Sequence, residues 1–230
     1  SPHATLEELF LLQKLLRAQG SDNVDCRPRQ SDFRADGKRA GAPWLGMPVA
    51  ELDTLERILL VGSRIRAEQP LIAQRLRQAV KHGAQLNVVH AADDDLLCRV
   101  ANRLIAAPGA LVNALAQIAR ALSEALGSPL PPEAAGAAHA EVGDAARAIA
   151  ASLASGEKKA VLLGAVAQHH PRYAEIHALS QAIADLAGAR LGVLAEAANS
   201  VGGHLANALP HGGLNARAMF AAPRKAYLLL

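Results

Sequence analysis

At 230 residues and 51% hydrophobic composition, the chain can bury one large core or two small ones, which excludes a peptide or a linker. Aromatics make up only 3%, so the interior must be built from small and branched aliphatic side chains, a composition suited to helices laid on a sheet. The net charge of +3 comes from 24 basic and 21 acidic residues that are interspersed, with no basic run interleaved with aromatics, which argues against a nucleic-acid ligand.

The first element is a helix. In "ATLEELFLLQKLLRAQGSDN", Thr5 and Glu8 stand at capping-box spacing, Leu6, Leu9, Phe10 and Leu16 run along one side, and Gly20 ends it. From Val24 to Val49 the text turns polar and is punctuated by Pro28, Gly37, Gly41, Pro43, Gly46 and Pro48. It reads as an extended surface segment anchored by Trp44. "RILLVG" then reads as a buried strand, "PLIAQRLRQAVKHG" as a helix with Ile72, Leu76, Ala79 and Val80 on one stripe, and "AQLNVVHA" as the next strand. That is one βαβ unit.

"DDDLLCRVANRLI" and "GALVNALAQIARALSEALG" read as helical stretches, with Asp93 or Asp94 as N-cap and Gly127 as stop. "SPLPPEAAGAA" breaks the chain, and a further helix follows near Asp144 to Leu153. From Lys158 the earlier plan recurs: strand, glycine, short loop, proline, helix, Gly-Ala, strand. Gly62 to Pro70 is matched by Gly164 to Pro171, and the second helix is longer by about one turn. The closing "RKAYLLL" reads as a strand whose continuation is missing, so the chain is expected to be a fragment.

The expected fold is a three-layer αβα arrangement on a mainly parallel sheet, with two related βαβ units. Residues 1–127 would hold the first helix, the extended segment and the first unit. Residues 128–139 would be a linker, and residues 140–230 the second unit, truncated at its last strand.

The strand-to-helix turns at Gly62-Ser63 and Gly164-Ala165 are the best ligand candidates, since free N–H groups there can meet a phosphate. Glycine also favours any such turn, and neither carries GxGxxG or a Walker sequence. Arg64 and Arg66 could clamp an anion or stand as solvated charges. "QHHP" at residues 168–171, with His204 and His211, invites a metal reading, but adjacent histidines point apart and HExxH is absent. Asp93, Asp94 and Asp95 could hold a cation or simply collect at a helix start.

No GxSxG elbow is present, and neither Ser63, Ser200 nor either cysteine has a base nearby in sequence, so no catalytic residue and no metal ligand is assigned. In "AEAANSVGGHLANALPH" the small residues after Asn199-Ser200 would let a ligand or another loop approach closely. The only cysteines, Cys26 and Cys98, are far apart in sequence and lack a CxxC partner, which points to a reduced, cytosolic compartment. Uncharged stretches such as residues 104–119 contain Pro108 and Gly109 and fall short of a membrane span, and no cleavable signal is visible.

Four phrases together, "LEELFLLQKLLRAQGSDNVDCRPRQSDF", "ILLVGSRIRAEQPLIAQRLRQAVKHGAQLNVV", "LLGAVAQHHP" and "AEAANSVGGHLANALP", resemble the molybdopterin-oxidoreductase fold as it occurs in the large iron–sulfur subunit of bacterial respiratory complex I, NADH:quinone oxidoreductase. Their order, covering nearly the whole chain, carries the resemblance.

It implies a role in carrying electrons from NADH toward quinone, through iron–sulfur clusters in an N-terminal part missing here. Other peripheral-arm subunits would be the partners, on the cytoplasmic side of the inner membrane, without direct membrane insertion. No cofactor is expected in residues 1–230 themselves, and the isolated fragment is expected to be non-catalytic and to self-associate. In molybdenum-containing relatives the strand-to-helix turns hold a pterin dinucleotide, and an asparagine commonly follows the first Gly-Ser. Here that position is Arg64, so Gly62, Ser63, Arg64 and Gly164 read as vestigial pterin-site positions. The alternative is a functional pterin-dinucleotide-binding domain of a formate-dehydrogenase-like enzyme.

Overall fold

The computed structural model describes residues 1–38 and 41–230; Arg39 and Ala40, within the expected surface segment, lie outside the described residues. Its helices are α1 Leu6–Ala18, α2 Ile65–Glu68, α3 Pro70–Lys81, α4 Leu111–Leu126, α5 Asp144–Leu153, α6 Ala165–Gln168, α7 Tyr173–Ala187, α8 Ser200–Leu205 and α9 Ala216–Ala221. The strands are β1 Arg57–Val61, β2 Gln85–His90, β3 Asn102–Ile105, β4 Lys159–Leu163 and β5 Arg190–Val193. None of the helices is long and apolar enough to cross a membrane. Two compact units emerge: Leu45–Leu194, and Ser1–Trp44 together with Ala195–Leu230.

The larger unit is built on one sheet, all strands parallel, in the order β3-β2-β1-β4-β5. Strand side chains alternate between faces, so a strand covered on both sides must be apolar throughout. Ile58 and Leu60 of β1 face α3, where Ala73, Leu76 and Ala79 are buried. Leu59 and Val61 join the cluster formed with α4, α5 and α7. The sequence spaces the sheet outward from a central β1/β4 pair, and right-handed crossovers travelling in opposite directions place α3 and α7 on opposite faces. The three-layer αβα expectation holds.

Four local expectations do not hold. Residues 93–101 are irregular rather than helical, and residues 102–105 form β3, which pairs with β2. The Asp95 carboxylate accepts the Leu97 N–H at 2.8 Å, and Leu97 sits at φ 52°, a local turn that cannot continue as helix. Pairing β3 satisfies the edge of β2.

The stretch expected to be a linker instead lies inside the larger unit: Pro132–His139 is a 3-10 stretch whose Ala134 and Ala137 are buried among the residues of α4 and α5. Trp44 is 54% exposed, whereas Met47 is 2% exposed and packs beneath the sheet, so methionine rather than tryptophan anchors that segment. Gly46 and Gly192 permit backbone contact there: a Cβ on Gly46 would stand 2.2 Å from the Leu191 carbonyl oxygen.

One buried polar network crosses the α5 face. The Asn87 amide nitrogen donates to Ile58 O at 3.2 Å and Ser152 Oγ at 3.0 Å, and its oxygen accepts from Asn102 at 2.7 Å. Ser152 in turn donates to Gln85 at 2.7 Å. Replacing Asn87 with Leu leaves these partners without water or a substitute, so Asn87→Leu is expected to cost about 1–2 kcal/mol in urea unfolding. A variant as stable as the wild type would show that the network is not satisfied as described.

The smaller unit opens with α1, whose capping box forms as expected: Thr5 Oγ1 accepts the Glu8 N–H at 3.2 Å, and Glu8 accepts the Thr5 N–H at 2.8 Å. Leu9 packs with Val24, Cys26, Ala206 and Ala208, while Leu6 and Phe10 are about half exposed. The closing residues 224–230 form no strand. No other strand exists among the described residues of this unit, so an extended "RKAYLLL" has no edge to join. It is held instead by Tyr227, which stacks on Phe220 and donates to Met219 O at 2.8 Å.

Candidate functional site

In an open parallel sheet the pocket lies beyond the carboxyl ends of the strands where the strand order reverses. Here that point falls between β1 and β4, so the Gly62-Ser63 and Gly164-Ala165 turns are brought side by side. They close on each other. The Gly164 N–H donates to Val61 O at 2.9 Å, and the Ala167 N–H donates to Gly62 O at 3.2 Å. Two of the second turn's donors are thus engaged by carbonyls of the first, while the N–H groups of Ala165 and Val166 have no partner among the described residues.

The glycines serve this contact. Gly62 has φ 57°, and a Cβ there would stand 2.7 Å from Ala167 N. A Cβ on Gly164 would stand 2.1 Å from Ser63 Cβ and 2.6 Å from Gly62 O. Ser63 is 3% exposed, and its hydroxyl donates to the Glu68 carboxylate at 3.1 Å. An acidic residue therefore occupies the hydroxyl that an anion would have used.

Arg64 and Arg66 point into a cleft of about 350 Å³, lined also by Ala67, Asp94, Asp95 and Leu96. Arg64 faces Asp94 at 3.4 Å, and Arg66 donates to Asp95 O at 2.5 Å and faces its carboxylate at 3.8 Å. The acidic run at residues 93–95 balances the arginines. Arg103 pairs with Asp93 in the same way. Helices α2 and α6 have four residues each and so little dipole to offer, and α7 has the cation Arg172 at its N-cap.

The histidines are used as tethers. His170 accepts the Arg172 N–H on Nδ1 and donates from Nε2 to Pro108 O, each at 3.0 Å. In the smaller unit His204 donates from Nδ1 to Ser200 O at 3.0 Å, and burial holds its pKa below the ordinary value. Among the described residues no three His, Cys, Asp or Glu side chains converge as metal ligands. Burial pushes the Cys26 thiol up to about 11 and raises that of Cys98, so both remain protonated thiols at neutral pH.

The phrase "AANSVGG" meets its own chain. A Cβ on Gly203 would stand 2.5 Å from Cys26 Sγ, and Asn199 donates to Ala4 O at 2.7 Å. Three carboxylate and amide groups of "SDNVD" cap the loop that follows. Asp22 Oδ2 accepts the N–H groups of His211, Gly212 and Gly213 at 2.7, 2.7 and 3.0 Å, Asn23 that of Leu214, and Asp25 that of Ala216. Sequence reasoning missed Glu68, Asp94 and Asp22 in these roles. Only the Asp93–Asp95 run gave any signal.

A parallel sheet whose strand order reverses between β1 and β4, with glycine turns at that point, defines a doubly wound α/β domain. The chain matches the molybdopterin oxidoreductase family over residues 1–229, and it belongs to that family. No curated protein matches it. Membership implies a pterin held at the strand-to-helix turns, and the turns between β1 and β4 do not fit that group. The N–H groups of Gly62, Gly164 and Ala167 are engaged by the chain's own carbonyls, and Ser63 fills the space against Gly164; those of Ser63, Arg64, Ala165 and Val166 have no partner among the described residues.

Proposed function

We propose that this oxidoreductase-family chain is part of the large iron–sulfur subunit of a bacterial NADH:quinone oxidoreductase and acts there as a structural module without bound pterin. The observation that carries this reading is the interlock of the two glycine turns, in which the Gly164 and Ala167 N–H groups join the end of β1 to the turn after β4 and Ser63 packs against Gly164. The clusters that pass electrons toward quinone lie, in this reading, outside residues 1–230. Its neighbours are other peripheral-arm subunits at the cytoplasmic face of the inner membrane. What these residues contribute is a rigid sheet, closed at its switch point, with raised thiol pKa values that disfavour thiolate ligation.

The test is to denature the purified protein under oxidising conditions, measure released pterin fluorescence, and determine molybdenum and tungsten by mass spectrometry. Neither is expected in stoichiometric amount. One pterin and one metal per chain would overturn the reading in favour of a formate-dehydrogenase-like domain.

A further inference from the structure

Helix α1 is apolar on two opposite sides. At about 100° per residue, Leu9 and Leu11 project about 160° apart around the axis. Leu9 is 2% exposed in the core of the smaller unit, while Leu11 is 62% and Leu15 54% exposed, one turn apart on the outer side. An exposed apolar stripe opposite the buried one is a surface suited to a partner. The outer stripe also carries an ordered pair of charges. Glu7 is in the first turn, Lys14 is near the last, and neither has an ion-pair partner in its own chain among the described residues.

We propose that this outer stripe docks against the same stripe of a second copy, the two α1 helices running antiparallel about a two-fold axis at Leu11. A second copy fits because the pattern is self-complementary. Antiparallel pairing centred on Leu11 sets Leu15 of one helix beside Glu7 of the other and brings the acidic first turn alongside Lys14, twice per interface. It also opposes the two helix dipoles. A parallel or unrelated apolar partner would use the leucines but leave both charges unmatched. The 13-residue helix offers only a small interface, so the dimer forms at high protein concentration.

The experiment is sedimentation equilibrium of the whole chain over a concentration series, with circular dichroism to confirm that each variant is folded. The wild type is expected to shift from 24.0 kDa toward twice that mass as concentration rises. Leu11→Glu, at an exposed position, should abolish the shift. Lys14→Glu alone and Glu7→Lys alone should each weaken it, and an equimolar mixture of the two should restore it. A wild type that stays monomeric throughout, a shift that survives Leu11→Glu, or a mixture no better than its components would each overturn the proposal.

Discussion

Gly164→Ala is expected to destabilise the larger unit by about 3 kcal/mol, read as a fall in Tm of roughly 6–12 °C. The added methyl would stand 2.1 Å from Ser63 Cβ, 2.4 Å from Ser63 Cα and 2.6 Å from Gly62 O. Two of those atoms are backbone, and Ser63 is buried, so the contact cannot be relieved by swinging a side chain away. The turns must separate, and the hydrogen bonds Gly164 N–H to Val61 O and Ala167 N–H to Gly62 O lengthen with them. Gly109→Ala and Gly136→Ala are the controls. A Cβ at either meets nothing within 4 Å and neither has positive φ, so both should be near neutral or slightly stabilising. If Gly164→Ala melts with the controls, the two turns are not locked together and can part to admit a ligand.

Asp22→Ala is expected to cost about 2 kcal/mol, because one carboxylate accepts three backbone N–H groups, which lose this acceptor, and the Arg17 guanidinium, which keeps only Gln13, Asn207 O and Leu209 O. Hydrogen bonding from Gly212, with Arg17, His211 and Gly213, outweighs burial and holds this carboxyl well below its ordinary value of 3.8. The folded value is lower than the unfolded one, so the stabilisation is fully present above about pH 4. It is lost as pH falls below that, because the unfolded chain takes up the proton first. Urea midpoints of wild type and Asp22→Asn measured from pH 6 to pH 2.5 should therefore converge on the acid side. A constant gap across that range would mean that the carboxylate's charge contributes nothing.

Local pattern made much of this fold legible. The capping box at Thr5 and Glu8, the strands at "RILLV" and "KAVLL", Pro70 opening α3 and Gly127 closing α4 depend on neighbours a few residues away, and all appear as read. The errors also have local causes. The run "LLCRVANRLI" is apolar at spacings that suit a helix, but β2 had an unpaired edge and the chain supplied it with β3. "YLLL" has strand composition but no strand to pair with. Alanine-rich 3-10 turns around Pro132 look like a linker in composition, yet Ala134 and Ala137 are small enough to pack flat against the core.

The amino-acid sequence by itself determined two crossovers of one design, a parallel sheet buried on both faces, and glycines where the strands end. Those follow from periodicity and turn chemistry. Only the tertiary structure decided what the glycines are for. Strand order sets β1 beside β4, although Gly62 and Gly164 are separated by helices α2 to α5, strands β2 to β4 and two 3-10 stretches. That adjacency commits the two glycines to one backbone contact. The same holds for Asp22, whose partner His211 is 189 positions away. Carboxylates and glycines are chemically ready for a ligand or for their own chain, and the choice depends on which groups the completed sheet and loops bring within 3 Å.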